Sequence, residues 1–181
     1  MAIYNTSSDA ANTMIRAFLT KIGEDYLGRS FNTGSGKGKE TWRRIKEETF
    51  NKQCAFCGLV SDNLTIEHFV MFNRDQCGLH HPGNVVPCCK SCNTRKKHSD
   101  TKKYFNWNEQ LESLCNSIDE LKERKKKILN HITDEKYPEL TDDEINSLRA
   151  VAKSLYERTS SELDKSISLF KEIDRTLVRR R

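Results

Sequence analysis

The amino-acid sequence predicts an α+β protein that is mostly helical, with a small β-containing module at its centre. Apolar residues recur every three or four positions near both ends of the chain, as they do on amphipathic helices. Between these regions, two short apolar segments indicate β-strands, and a Cys-x-x-Cys pair stands on either side of them. We therefore expect a β module that is held together by its cysteine pairs and is flanked by an N-terminal helix and a long C-terminal helical hairpin.

The composition disfavours membrane and secreted proteins. The 181 residues are 35% hydrophobic and 31% charged, and no run approaches the ~18 consecutive apolar residues that a membrane span requires. The first residues, MAIYNTSSDAAN, lack the basic and apolar regions of a signal peptide. We expect a cytoplasmic protein that makes no contact with a membrane.

The N-terminal segment, residues 1–50, is predicted to be helical around a basic, Gly-rich loop. Apolar residues on one face predict a helix over residues 8–27. The stretch 32–39 is rich in Gly and predicts a flexible loop. A short helix is predicted at about residues 40–50, leading into the first cysteine pair.

The C-terminal segment, residues 106–181, is predicted to form a hairpin of two long helices. Residues of the first helix recur at alternating steps of three and four, with one lysine among them: Leu111, Leu114, Ile118, Leu121, Lys125, Ile128 and Ile132. Pro138 interrupts this pattern, and the capping box from Thr141 to Glu144 predicts the start of the second helix. The two helices either cover each other or leave an apolar stripe for a second copy or another protein.

The positive charge is concentrated in the N-terminal part of the chain. Residues 1–107 contain 16 Lys and Arg against 10 Asp and Glu, whereas residues 108–181 contain 15 against 16. A local basic patch suits a polyanion such as a nucleic acid. The residues predicted to contact its phosphates are Lys90, Arg95, Lys96 and Lys97.

Seven cysteines in a chain without a signal peptide favour a metal site over disulfides. Four of them form two pairs with the spacing of metal ligands: Cys54, Cys57, Cys89 and Cys92. Two such pairs complete the tetrahedral shell of a structural Zn²⁺ ion. Cys88 could compete with Cys89, but only Cys89 keeps the two-residue gap to Cys92.

The segment between the cysteine pairs predicts a strand ending at Glu67 and His68, a second strand over 84–88, and a helix that begins near Lys90. This arrangement would bring Glu67, His68 and Asn93 together. The carboxylate and the amide oxygen suit a hard divalent cation, and the imidazole can accept a proton near neutral pH. These groups could supply metal-dependent hydrolysis of a phosphodiester.

The order CxxC, Glu-His, Asn-Val-Val-Pro, CxxC-Asn-x-x-Lys resembles the HNH nuclease family over residues 54–97. The resemblance implies a zinc-stapled ββα-metal module, which we place at residues 51–105. Carried over by position, the general base of the family falls on His68, and the asparagine that holds this base and its loop in place falls on Asn84.

The two ligands of the catalytic cation in this family fall on Glu67 and Asn93. Position 67 is Glu where the family more commonly has Asp, and a longer side chain can shift the ion. Position 93 is Asn rather than His, which favours Mg²⁺ or Mn²⁺ over softer metals. Both departures preserve the required donor chemistry.

The resemblance therefore implies an HNH endonuclease that acts on DNA, with RNA left open. An ungated nuclease endangers its own cell, so we expect a partner-gated subunit of a bacterial anti-phage defence system, with an ATPase or sensor protein as the partner. One alternative is a homodimeric HNH restriction endonuclease that dimerises through the helical hairpin. Another is a zinc module that binds nucleic acid without catalysis.

Four further histidines are predicted to have no part in the site and to be ordinary surface residues: His80, His81, His98 and His131.

Overall fold

The structure, a computed structural model that describes residues 6–178, is α+β. Its first half contains helix α1 (Ser7–Leu27), helix α2 (Gly36–Arg44), a π-helical turn (Ile45–Thr49) and strand β1 (Thr65–His68). Its second half contains a 3₁₀ turn (Pro82–Asn84), strand β2 (Val85–Cys88) and helices α3 (Trp107–Glu112), α4 (Ile118–Asp134) and α5 (Asp142–Val178). Within residues 6–178, no helix combines the length and apolar character needed to cross a bilayer.

The chain divides into two compact units. We call residues 20–72 and 78–139 the central unit, and residues 6–19, 73–77 and 140–178 the helical unit. Helix α1 contributes to both.

This division differs from the three predicted segments. The predicted hairpin, residues 106–181, is split: residues 106–139 group with the strands and cysteines in the central unit. Residues 140–178 group with the first half of α1.

Strands β1 and β2 form the predicted antiparallel pair. Thr65 lies opposite Cys88, and His68 lies opposite Val85. All four residues of β2 are buried, as expected of a strand that is covered on both faces. The core of the central unit surrounds this strand and includes Phe31, Ile45, Phe50, Phe56, Val85, Val86, Leu111 and Ile128.

The predicted first helix of the C-terminal segment is interrupted. Helix α3 ends at Glu112 and α4 begins only at Ile118. The Ser117 hydroxyl caps α4 by accepting a hydrogen bond from the backbone N–H of Glu120 at 3.1 Å. Ile118 is 70% exposed, so the regular apolar spacing does not form one continuous seam.

Helix α2 begins inside the stretch that was predicted to be a loop. A Cβ on Gly38 would lie 2.3 Å from the backbone oxygen of Asn32. The glycine therefore permits a close approach between this helix and the chain before it, a role that a Gly-rich sequence does not distinguish from flexibility.

The helical unit confirms two predicted helix starts. Helix α1 begins at Ser7, one residue before the predicted position. At the start of α5, Thr141 and Glu144 form the capping box: the Thr141 N–H donates to Glu144 Oε2 at 2.7 Å, and the Glu144 N–H donates to Thr141 Oγ1 at 3.3 Å. The hydroxyls of Ser8 and Tyr156 lie 2.9 Å apart and join α1 to α5.

The last third of α5 carries large apolar side chains that are exposed. They are Ile167, Leu169, Phe170, Ile173 and Leu177. Ile167, Phe170 and Leu177 share one side of the helix with the half-buried Leu163, at the spacing expected of an apolar stripe.

Candidate functional site

Four cysteine side chains of the central unit come together as predicted. The Sγ atoms of Cys54, Cys57, Cys89 and Cys92 all lie within 4.8 Å of one another. Cys57 Sγ and Cys89 Sγ are 3.7 Å apart, close to the roughly 3.8 Å separation that a tetrahedral ion with 2.3 Å metal–sulfur bonds imposes. The cluster can therefore hold a metal ion.

Local backbone bonds shape the first cysteine pair. The Cys54 N–H donates to the Leu59 carbonyl at 2.9 Å, and the Gly58 N–H donates to the Cys54 carbonyl at 2.8 Å. Gly58 has a φ of 71°, which a residue with a side chain adopts only at a cost. The Ala55 N–H donates to the Pro87 carbonyl at 2.8 Å and ties this turn to β2.

Cys88 lies outside the cluster, as its spacing predicted. Its thiol donates a hydrogen bond to the Cys89 carbonyl at 3.4 Å. The neighbouring Cys54 and burial raise the pKa of Cys88, so its thiol keeps the proton that it donates.

Asn84 fixes the chain directly after His68. Its side chain is fully buried, and its Oδ1 accepts from the Val70 N–H at 2.9 Å. Its Nδ2 donates to the carbonyls of Val70 at 3.0 Å and Leu79 at 2.8 Å. One amide thus holds both the end of β1 and the loop that precedes Asn84.

Asn93 is anchored on β1, two residues from Glu67. Its Nδ2 donates to Thr65 Oγ1 at 2.9 Å, while the Thr65 hydroxyl donates to the Cys88 carbonyl at 3.1 Å. Because that hydroxyl proton is engaged, Thr65 accepts from Asn93, and this fixes the orientation of the Asn93 amide.

Glu67 and His68 are consecutive strand residues, so their side chains leave β1 on opposite sides. Thr65, which binds Asn93, shares its side with Glu67. Asn93 therefore lies on the Glu67 side of the strand, whereas the His68 side chain leaves the last residue of β1 on the other side.

The helix predicted to begin near Lys90 is absent, because the Gln110 side chain forms hydrogen bonds with the backbone groups of this region. The Gln110 side chain accepts from the Lys96 N–H at 3.0 Å and donates to the Cys92 and Thr94 carbonyls, each at 3.5 Å. Beyond it, Lys97 forms an isolated β-bridge with Tyr104. A turn over residues 90–93, closed by the bond from the Asn93 N–H to the Cys89 carbonyl at 3.0 Å, stands in place of the predicted helix.

Arg95 was predicted to contact phosphate, but its side chain is only 3% exposed. Its guanidinium lies 2.7 Å from Glu67 Oε1 and donates to the carbonyls of His68, Phe69 and Phe105. Burial raises the pKa of Glu67, and the ion pair with Arg95 lowers it only in part. Arg95 therefore belongs to the interior, whereas Lys90, Lys96 and Lys97 are exposed.

The prediction of surface histidines is wrong at three positions. His131 and His81 are buried: His131 Nε2 donates to the Val85 carbonyl at 3.0 Å, and His81 Nδ1 accepts from the Gly83 N–H at 3.1 Å and caps the 3₁₀ turn. His80 is half-buried, with its Nδ1 2.9 Å from His68 Nε2. Sequence reasoning missed this contact, although the Pro and Gly after the two histidines indicate a tight turn there.

No family model, no curated protein and no solved structure matches this chain. The resemblance to the HNH family therefore rests on the sequence motif.

The cysteine cluster predicts that a bound metal ion holds the central unit together. Cys89→Ser should lose the ion and unfold this unit, because metal binding and folding are coupled in such sites. Cys115→Ser, at a half-buried cysteine outside the cluster, is the matched control. Metal content by elemental mass spectrometry and thermal melts with and without chelator measure both effects. A Cys89→Ser protein that melts like the wild type would refute the prediction.

The burial of Arg95 predicts a cost in stability rather than a simple loss of nucleic-acid binding. Arg95→Gln leaves the Glu67 carboxylate unpaired, which should lower the free energy of unfolding by about 3 kcal/mol. Lys96→Gln, at an exposed neighbour, should change it by less than about 0.5 kcal/mol. Urea unfolding monitored by circular dichroism compares the two. Equal stability of both variants would contradict the internal role of Arg95.

Proposed function

We propose that the central unit is a metal-dependent HNH endonuclease that hydrolyses phosphodiester bonds of DNA. The observation that carries this proposal is the end of β1, where Asn84 clamps the residues after His68 and Asn93 is anchored beside Glu67. These side chains follow the motif order of the family, and their contacts suit the roles that the motif implies.

A structural Zn²⁺ ion in the cysteine cluster is the first part of the proposal. Four thiolates with sulfur separations of this size suit tetrahedral zinc. The cluster joins the turn before β1 to the turn after β2. It thereby fixes the end of the sheet at which Thr65 pairs with Cys88.

A catalytic Mg²⁺ or Mn²⁺ ion held by Glu67 and Asn93 is the second part. The Asn93 NH₂ group is committed to Thr65, which leaves the amide oxygen as the donor toward a cation. Glu67 offers a carboxylate, and Arg95 pairs with one of its oxygens. These are the hard oxygen donors that such ions prefer. When bound, the cation would polarise the phosphoryl oxygen and stabilise the leaving oxygen.

His68 supplies the base in this proposal. A histidine accepts a proton near neutral pH, so His68 can take one from the attacking water. The ring of His68 is held by stacking on Phe72, with centroids 4.7 Å apart and an interplanar angle of 16°. Exposed Lys90, Lys96 and Lys97 would bind flanking phosphates.

A second candidate is a zinc module that binds nucleic acid without catalysis. The ion pair between Arg95 and Glu67 favours it, because a cation at Glu67 would have to share this carboxylate with a buried guanidinium. The exposed lysines serve binding equally well in both functions.

Cleavage and binding assays on the purified protein separate the two candidates. With supercoiled plasmid and Mg²⁺ or Mn²⁺, the wild type should cleave, and His68→Ala should be at least about 100-fold slower because it lacks the base. His98→Ala is the matched control, at a partly exposed histidine on the loop before Tyr104. Wild type that binds DNA but does not cleave it, either alone or under any partner condition, would support the non-catalytic module, as would equal cleavage by the wild type and His68→Ala.

We further propose that α5 docks on a second copy of this chain. Its exposed stripe is flanked on one side by Asp164 and Lys171, seven residues apart. If two copies of α5 pack antiparallel about a two-fold axis near residues 167 and 168, Asp164 of each copy faces Lys171 of the other. An isologous pairing of this kind buries the stripe and forms two opposite-charge contacts.

Mutations on two sides of α5 test this dimer. Phe170→Glu places a charge in the stripe and should yield a monomer, because Phe170 is 68% exposed without a partner. Leu169→Glu is the matched control, because Leu169 is 59% exposed but lies about 100° around the helix. Light scattering coupled to gel filtration measures the mass. A monomeric wild type would overturn the dimer and is the behaviour expected of a partner-gated subunit.

A further inference from the structure

The chain after the last cysteine pair folds back on itself as a short β-hairpin. The Phe105 N–H donates to the Lys96 carbonyl at 2.9 Å, and Lys97 forms an antiparallel bridge with Tyr104. The two segments therefore run side by side in opposite directions. We call residues 96–105 the basic hairpin, because they contain four Lys residues and one Asp.

One arginine fixes the base of the basic hairpin beside the proposed cation ligand. Arg95, the residue before the hairpin, donates to the carbonyl of its last residue, Phe105, at 3.2 Å. The same guanidinium donates to Glu67 Oε1 at 2.7 Å. At the other end of the base, the Lys96 N–H donates to Gln110 Oε1 at 3.0 Å. The hairpin therefore begins and ends next to Glu67.

The two faces of the basic hairpin have different surroundings. Residues paired across a hairpin share a face, and consecutive residues alternate between faces. Lys96 and Phe105 share the inner face: the Lys96 ammonium donates to the Ser113 carbonyl at 3.3 Å, and Phe105 is half-buried. Lys97 and Tyr104 share the outer face, where Lys97 is exposed and Tyr104 is 39% exposed.

The outer face and the turn of the basic hairpin combine an aromatic ring with positive charge. Lys97 Nζ lies 4.5 Å from the centroid of the Tyr104 ring. Lys102 and Lys103 are exposed in the turn. Aromatic rings and ammonium groups together bind single-stranded nucleic acid, because bases stack on the ring and phosphates bind the ammonium groups. In a duplex, neighbouring base pairs cover the faces of each base, so an exposed ring selects unpaired bases.

We propose that the basic hairpin binds an unpaired strand of DNA, through stacking of a base on Tyr104 and binding of phosphates by three exposed lysines. These lysines are Lys97, Lys102 and Lys103. The inference deepens the proposed function and rests on it for the choice of DNA and for the cation at Glu67, toward which the bound strand leads. The exposed ring favours DNA over an acidic protein, which would need only the lysines.

Strands with and without bases test the stacking on Tyr104. Fluorescence anisotropy measures the affinity of the whole protein for a labelled single-stranded DNA, for its duplex and for an abasic strand of equal length. No divalent cation is added, so nothing is cleaved. Tyr104→Leu should bind the single strand at least about 10-fold more weakly than the wild type, and should bind the duplex and the abasic strand equally well. Tyr104→Phe keeps the ring and should retain the wild-type affinity.

The salt dependence of binding tests the phosphate contacts. Lys102→Gln combined with Lys103→Gln removes two charges from the hairpin. Lys122→Gln combined with Lys126→Gln is the matched control, at two exposed lysines of α4. Two phosphate contacts to a single strand contribute about 1.4 to the slope of log association constant against log salt concentration. The hairpin variant should lose about this much of the slope, and the α4 variant should keep the wild-type slope. Equal losses in both variants would overturn the proposal.

These measurements do not depend on cleavage, so the two proposals fail separately. Equal binding of the single strand by the wild type and Tyr104→Leu would overturn the role of the basic hairpin even if the protein cleaves DNA. Poly-glutamate that displaces the strand as well as unlabelled DNA does would also overturn it, and would assign the lysines to an acidic protein. The expected binding in a protein that cleaves no DNA would instead refute the nuclease and leave the hairpin as a binding surface.

Discussion

The central unit depends on one constraint, the link between the turn before β1 and the turn after β2. A two-stranded sheet of four residues per strand is marginal in water by itself. Here both cysteine pairs lie beyond the same end of this sheet, where Thr65 pairs with Cys88, and their sulfur atoms lie within 4.8 Å of one another. The bond from Ala55 to Pro87 adds a direct backbone link between the same segments. A metal ion in the cluster would close the long loop between the pairs and hold the strands in register.

The polar side chains around β1 form hydrogen bonds with one another and with the nearby backbone. Asn84 binds the chain after His68, Arg95 binds the carbonyls of His68 and Phe69 as well as Glu67, and Thr65 orients Asn93. Each of these contacts satisfies a buried or half-buried polar group that would otherwise be costly to remove from water. The same contacts determine where a carboxylate, an imidazole and an amide stand relative to the sheet.

Arg95 has two opposing effects on this site. A buried ion pair is costly to break from one side, because the remaining charge loses its partner in a medium that solvates it poorly. A cation at Glu67 would join a carboxylate that already has a counter-charge. The Arg95–Glu67 pair therefore bears on both candidate functions: it stabilises the fold and competes for the ligand on which the nuclease depends.

Spacing and local chemistry were sufficient to predict several features from the sequence alone. The cysteine pairs, the two strands, helix α1 and the capping box at Thr141 follow from short-range patterns, and the structure agrees with each. Such features depend on residues within a few positions of one another, where periodicity and capping are direct consequences of backbone geometry. The resemblance to the HNH motif identified four candidate site residues but did not predict their contacts. They are Glu67, His68, Asn84 and Asn93.

Only the tertiary structure decided what distant parts of the chain do to these elements. Gln110 bonds the backbone groups that a helix after Cys92 would need. In the C-terminal segment, the helix predicted from the regular apolar spacing is divided, and Ser117 caps the start of its second part. Arg95 lies inside because Glu67 and three carbonyls surround it, and His80 reaches His68 across twelve positions. These partners cannot be predicted from the local sequence, because burial and long-range hydrogen bonds depend on which segments fold against one another.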